Sequence, residues 1–367
     1  MSTDSTHGDQ NSDRGAGSAT RRNILAGAGV AMVGWETAPD LSELLIPETR
    51  AAIPAPSKDE MAVTLLGTGT PVASPDRFGP ATLVEAGGLT LLFDTGRGVT
   101  IRLNQLDIPF GKGIDAIFLT HYHSDHVNGL PDIWMVGYLP GPRAGRVKPM
   151  RLWGPTGQLY GPTGVSRIAK NLMEAFSDDI RIRMADEHVP EAATQIEAHD
   201  FGSDGVIFDQ DGVKVTAFEV NHGPLIKPAF GYRVDHAGRS VAISGDTKFN
   251  ENVIKYGTGV DLLIHEVCVM PAALANNAVV QRIMDHHTSA EDAGTVFARA
   301  KPKLAAFSHI VQLAGPGVPP MSLDELTART RSNYQRPLVL GEDLMRFTVG
   351  NAVTVHKWDP QRKSYPD

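Results

Sequence analysis

Three imidazoles and a carboxylate stand within six residues, His121-Tyr122-His123-Ser124-Asp125-His126, directly after the apolar run Ile114 to Leu119. A β-prone run that ends in such a cluster predicts a buried strand whose tip carries the chemistry. Alternate residues of an extended segment project to one side, so His121 and His123 can share one ion. The chain then turns and delivers Asp125 and His126 to a neighbouring position. Nitrogen and carboxylate oxygen together suit zinc, with manganese or iron as alternatives. The helix-like stretch Val127 to Tyr138 that follows argues against a solvated histidine cluster.

Four donors do not complete two sites, and the sequence supplies more. His222 follows the strand-like Val213 to Val220, Asp246 follows Arg239 to Ile243, and His309 follows Leu304 to Phe307. Each donor is placed just past an apolar run, which predicts that all converge at one edge of the implied sheets. Further strands are expected at Met61 to Leu66, at Ala81 to Ala86 and Leu89 to Phe93 (a hairpin across Gly87-Gly88), and at Asp261 to Ile264. Others are expected at Pro337 to Leu340 and Met345 to His356. Helices are expected at Val99 to Leu106, Ala290 to Arg299 and Leu323 to Asn333. Asn171 to Gly202 reads as a helix and loop over the site. Interleaved strands and helices give an α/β or α+β class.

Composition narrows the function. The chain has 34 Lys and Arg against 42 Asp and Glu, a formal net charge of −8. A mildly acidic body points away from nucleic acid, and the aromatic residues in and near the stretch between His126 and His222 point to a small-molecule ester instead. Cys268 is the only cysteine, which excludes an intrachain disulfide and a zinc site built from several thiolates.

The first 55 residues read differently. Residues 1–20 are rich in Ser, Asp, Gly and Thr, a composition expected to be disordered. Arg21-Arg22 then precedes the short apolar run Ala26 to Trp35, and this pair resembles a twin-arginine export signal. The run is too short to span a bilayer, so no stable membrane insertion is expected. The expectation is a leader over 1–55, a catalytic domain over 56–367, and a periplasmic or secreted location, with the cytoplasm as the alternative. The oligomeric state is left open, a homodimer included.

The donor order H-x-H-x-D-H, His, Asp, His resembles that of the metallo-β-lactamase superfamily. Leu66-Gly67-Thr68-Gly69-Thr70-Pro71, Trp153-Gly154-Pro155, Gly231-Tyr232-Arg233, Ser244-Gly245-Asp246-Thr247, His265-Glu266-Val267 and His287-Thr288-Ser289-Ala290-Glu291 are similar to motifs of its ribonuclease Z and arylsulfatase-like branch. The likeness spans roughly residues 60–350. It implies a four-layer αββα sandwich with two zinc ions at one edge between the sheets. It also implies that His121, His123 and His222 hold one ion, that Asp125, His126 and His309 hold the other, and that Asp246 bridges them. A hydroxide between the ions would be the nucleophile. Glu266 and His287 would assist, a carboxylate-oriented imidazole protonating the leaving oxygen. His265 and His286 read as neighbours, and Asp94 as a support of the metal loop.

The likeness has a limit. The tRNA-cutting members of the branch carry a long, Gly-rich arm between the third-motif His and the bridging Asp. Here His222 and Asp246 are separated by a simple strand hairpin. Extra length lies instead between His126 and His222, and Trp134, Tyr138, Trp153, Tyr160 and Phe176 fall in or near it. One or two of these are expected to line the pocket. The expectation is therefore a phosphoester or sulfate-ester hydrolase of the arylsulfatase or phosphodiesterase kind. The alternatives are a ribonuclease Z-type endoribonuclease and a lactonase or β-lactamase.

Overall fold

A computed structural model describes residues 55–157 and 163–366. The leader reading, and with it Arg21, Arg22 and the run from Ala26, lies outside the described residues, as does Tyr160.

Among the described residues, fifteen strands form two sheets. The first holds β1 (Met61–Gly67), β2 (Ala81–Ala86), β3 (Leu89–Phe93), β4 (Ala116–Phe118), β5 (Met150–Pro155), β6 (Ile196–Phe201), β14 (Arg346–Val349) and β15 (Val353–His356), in the order β15-β14-β1-β2-β3-β4-β5-β6. The second holds β7 (Gly205–Gln210), β8 (Val213–Glu219), β9 (Phe230–His236), β10 (Arg239–Ile243), β11 (Leu262–Val269), β12 (Leu304–Gln312) and β13 (Leu338–Leu340), in the order β13-β12-β11-β10-β9-β8-β7. The helices that join them are α1 (Val99–Gln105), α2 (Ser124–Val127), α3 (Leu130–Tyr138), α4 (Val165–Ala175), α5 (Ser177–Asp186), α6 (Glu191–Thr194), α7 (Glu251–Gly257), α8 (Ala278–Met284), α9 (Ala290–Ala300) and α10 (Leu323–Arg331).

Alternation along the strands produces the layers. Leu91, Phe93 and Phe118 point into the space between the sheets, where they meet Val215, Tyr232, Val241 and Ile264. Their neighbours Leu92 and Ile117 point outward, onto Leu103, Ile133 and Trp134 of α1 and α3. In the second sheet Leu263, Ala305 and Phe307 point outward onto Val253, Val296 and Phe297 of α7 and α9. Strands apolar on both faces need cover on both faces, so the expected αββα sandwich follows.

β3, β4, β5 and β6 run parallel, and so do β10, β11, β12 and β13. Their carboxyl ends lie at one end of the sandwich, which makes that end the place for a site. Two expectations change here. Asn171 to Gly202 is not a lid with one helix: it carries the end of α4, all of α5 and α6, and β6, an edge strand of the first sheet. The strand expected to stop at Phe307 runs on to Gln312, so His309 lies inside β12 rather than after it. His309 adopts φ 45°, and the β11–β12 register slips between His265 and Val267. This irregularity, not a strand end, turns His309 towards the other donors.

Candidate metal centre

The loop after β4 begins with Thr120, which the sequence reading passed over. Asp94, at the end of β3 with φ 59°, accepts hydrogen bonds from the Thr120 amide (2.8 Å) and hydroxyl, and lies 2.8 Å from Nδ1 of His126. The Thr120 hydroxyl is also 3.0 Å from Nδ1 of His121. Asp94 thus supports the metal loop as expected. The signal that could have found Thr120 is its place directly before the first histidine, where a hydroxyl can steer an imidazole. His123, the cap of α2, turns the chain so that Asp125 and His126 lie buried on the first turn of that short helix.

Two donor sets assemble at this end. His121, His123, His222 and Asp246 form one group, and Asp125, His126 and His309 another; within each group the donor atoms lie within 4.8 Å of one another. Asp246 Oδ2 lies 3.3 Å from Nε2 of His126 and of His309, 3.7 Å from that of His222 and 3.9 Å from that of His121. One carboxylate oxygen therefore faces both groups. The seven donors expected from sequence all come together.

The residues fit a pair of cations. Nε2 of His121 and of His126 are buried and have no hydrogen-bond partner, and neither has Nδ1 of His309. Buried polar atoms without partners are costly and need a reason. In His121, His126 and His222 the opposite nitrogen is engaged, by Thr120, Asp94 and the His286 carbonyl (2.8 Å) respectively. In His121 and His126 that leaves Nε2 aimed inward with no hydrogen-bond partner, the nitrogen a metal ligand would offer, while Nε2 of His222 lies 3.2 Å from Nδ1 of His123. Burial and the charge of His126 hold His121 well below the usual histidine range, so it stays neutral. Burial holds His222 down at about 3. Burial also works against an ionised Asp246, but His309 and His126 outweigh it and keep the carboxylate well below its usual value. The neutral His121 and His222 imidazoles beside an ionised carboxylate are what a divalent cation binds. Burial works against a charged His126, but Asp246 and Asp94 outweigh it and raise that imidazole well above its ordinary value, so a cation there would have to displace its proton.

Glu266 and His287 stand beside the donors. Glu266 lies on β11 and is buried; its Oε1 accepts from the Thr247 and Thr288 amides and lies within 3.1 Å of His287 Nδ1. It ties the loop carrying Asp246 to the loop carrying His287. The imidazole of His287 stacks on that of His309 with ring centroids 5.7 Å apart, and lies 5.0 Å from that of His222. Burial disfavours its charged form, but the Glu266 carboxylate more than offsets this and raises the imidazole to about 9. His265 is buried, bonded to the Glu266 carbonyl and edge-on to Phe297, away from the donors.

Among the described residues the aromatic wall does not form. Trp134 and Tyr138 are buried between α3 and the first sheet, with Phe176 packed partly against them, and Trp153 is in the core between the sheets. Their large apolar surfaces are consumed by packing, which removes the structural case for an aryl-ester pocket.

Residues 90–310 match the model of the β-lactamase superfamily domain. The chain is 33% identical over 294 residues to "Ribonuclease Z" of Mycobacterium marinum, covering 78% of this chain and 98% of that protein. It is equally identical over 294 residues to "Ribonuclease Z" of Mycolicibacterium gilvum, covering 78% and 96%. Among solved structures, the short form of human tRNase Z has a TM-score of 0.57 at 23% identity, covering 79% of this chain and 99% of that one. The metallo-β-lactamase fold protein YhfI of Bacillus subtilis also has a TM-score of 0.57, at 16% identity, covering 79% and 100%. These relatives overturn the expectation of a small-molecule ester in preference to nucleic acid, because they carry the name of a ribonuclease and match this chain over nearly their whole length. The net charge misled because a sum over the chain hides local fields. Arg97, Lys227, Lys248 and Arg282 lie on segments at the metal end, and among the described residues none has an ion-pair partner. With its donor sets, its sandwich and its matches in agreement, this chain belongs to the β-lactamase superfamily and is a metallo-β-lactamase-fold hydrolase.

Proposed function

We propose that the protein is an RNA phosphodiesterase of the ribonuclease Z kind, working with two divalent cations, zinc being the pair its donors suit best. His121, His123 and His222 would hold one ion, Asp125, His126 and His309 the other, and Asp246 would touch both. Bound there, the cations would supply Lewis acidity on the phosphoryl oxygens and a strong nucleophile at neutral pH. Asp125 also orients His309, whose Nε2 lies 3.2 Å away.

The observation that carries this reading is the Glu266–His287 pair beside the donors. A ribose hydroxyl is a poor leaving group and needs a proton as its bond to phosphorus breaks. An imidazole charged at neutral pH through a buried carboxylate can give it that proton. A lactone or β-lactam ring gives this pair no comparable task. The unpaired cations at the metal end support a polyanionic substrate in the same way.

The match to the ribonuclease Z proteins suggests a tRNA 3′ end as the target. β9 and β10 are joined by the tight turn Ala237-Gly238, so nothing protrudes between His222 and Asp246 to grip a distant part of a tRNA. The test is a panel: precursor tRNA with a 3′ trailer, unstructured RNA and bis(4-nitrophenyl) phosphate, offered to zinc-loaded and manganese-loaded protein. Cleavage of RNA at a defined phosphodiester is expected. Hydrolysis of the aryl diester with every RNA left intact would overturn the reading. Export is a separate proposal: in a host with a twin-arginine pathway, Arg21→Lys with Arg22→Lys should hold the protein in the cytoplasm. Equal export of both forms would reject it.

A further inference from the structure

Two residues at the mouth of the site have no task in the scheme above. Lys248 stands two residues past Asp246, and its amide donates to the Asn221 carbonyl (2.8 Å), which fixes it beside His222. Its side chain is half-buried, yet among the described residues its ammonium meets no carboxylate and no hydrogen-bond acceptor. A long side chain can return its charge to water, and this ammonium is not among the sealed, partnerless atoms, so it is open to an anion that enters the site.

His286 is its neighbour. The His286 carbonyl accepts from His222 Nδ1, and its ring lies edge-on to that of His222, centroids 6.0 Å apart. The ring packs on Gly223, where an added Cβ would come within 2.7 Å of His286 Cδ2; φ there is +98°, so glycine is required twice over. Lys248 and His286 thus flank the same short segment, Asn221 to Gly223, one held by its backbone and the other by its ring. The result is a cation and an imidazole next to the donors, on the side where His287 stands. The exposed Asp285 also reaches His286 and opposes an anion there.

We propose that Lys248 and His286 form a phosphate subsite that takes the phosphate next to the scissile one in an RNA chain. The inference rests on the RNA phosphodiesterase reading and gives it a means of grip that needs no arm. Lys248 supplies charge, and His286 supplies a directional N–H.

The experiment uses metal-loaded enzyme and two short RNAs that differ at one position, where the phosphate next to the cleaved bond is replaced by an uncharged methylphosphonate. Wild type should lose about tenfold in kcat/KM on the neutral RNA, the size of one charge-assisted hydrogen bond. Lys248→Gln should lose about tenfold on the all-phosphate RNA, mainly in KM, and little more on the methylphosphonate. Lys248→Arg should restore most of the loss, His286→Ala should show a smaller one, and Asp285→Asn should lower KM. The salt dependence of binding should fall by about one ion in Lys248→Gln. If the two losses simply multiply, or if Lys248→Gln is as impaired on bis(4-nitrophenyl) phosphate, which has no second phosphate, Lys248 is structural and the subsite is wrong. Wild type that hydrolyses the aryl diester but cuts neither RNA would instead refute the RNA reading, and the subsite with it.

Discussion

At one end of the sandwich the chain reverses in two residues three times, through Gly87-Gly88, Asp211-Gly212 and Ala237-Gly238, all six with φ between 49° and 81°. Such turns match the twist of the strands they join. They border a cleft of about 550 Å³. At the other end the strands run out into long segments, and the cavity among His126, Asp246 and His309 is only about 30 Å³. Volume alone would choose the wrong end. What marks the metal end is the set of converging, buried imidazole nitrogens without hydrogen-bond partners, which a divalent cation would satisfy.

If the ends divide labour in this way, changes at the metal end should abolish chemistry and changes at the hairpin end should touch only stability. The largest effect is expected for Asp246→Ala, which removes the oxygen facing both donor groups. Elemental analysis should fall from about two ions per chain to below one, and kcat/KM should drop more than about 10³-fold, since metal catalysis supplies several kcal/mol. Retention of both ions by this variant would break the shared-carboxylate arrangement.

His287→Ala comes next. It should keep both ions, while kcat falls by about 10²–10⁴-fold, the range of general acid help. The loss should be steepest for poor leaving groups such as a ribose hydroxyl and slight for a nitrophenol. A uniform loss across a leaving-group series, or loss of metal, would make His287 structural.

Glu266→Gln tests the same pair through pH. The carboxylate raises the His287 imidazole to about 9, and an acid catalyst works while protonated, so activity should decline as pH rises through that pKa. Without the anion the imidazole loses its proton earlier. The alkaline limb of the rate profile should therefore move to lower pH. An unmoved limb would assign it to another group.

The smallest effect belongs to the hairpin end. Gly88 has φ +81°, and a Cβ added there would have nothing within 4 Å. Gly88→Ala should cost about 1–2 kcal/mol in a denaturant titration, the penalty for an L-residue in that region, with kcat unchanged. A fall in kcat would mean that the two ends are coupled.

Much of the site was legible because its residues are close in sequence or follow strong patterns. Apolar, β-prone runs bounded by turn residues placed β1, β2, β3, β8, β9 and β10, and histidines at close spacing announced the centre. The expected strand at Ile114 to Leu119 shrank to Ala116–Phe118, although the amides of Asp115 and Leu119 still donate to Thr90 and Trp153 of the flanking strands. The aromatics of the long insert were misread because packing against the sheet, which no local pattern reveals, consumed them. The sum of charges likewise could not show which cations lack partners.

The chain itself thus determined the seven donors, their order and the apolar runs that carry them, because these depend on residue type and short spacing. Only the tertiary structure decided that His309 enters through an irregularity within β12, that Thr120 and Asp94 steer the metal-facing imidazoles, and that Lys248 and His286 both come to the segment around His222. Those relations join segments far apart in the chain. They are set by the register of two packed sheets, and one residue of slip would turn each side chain to the opposite face.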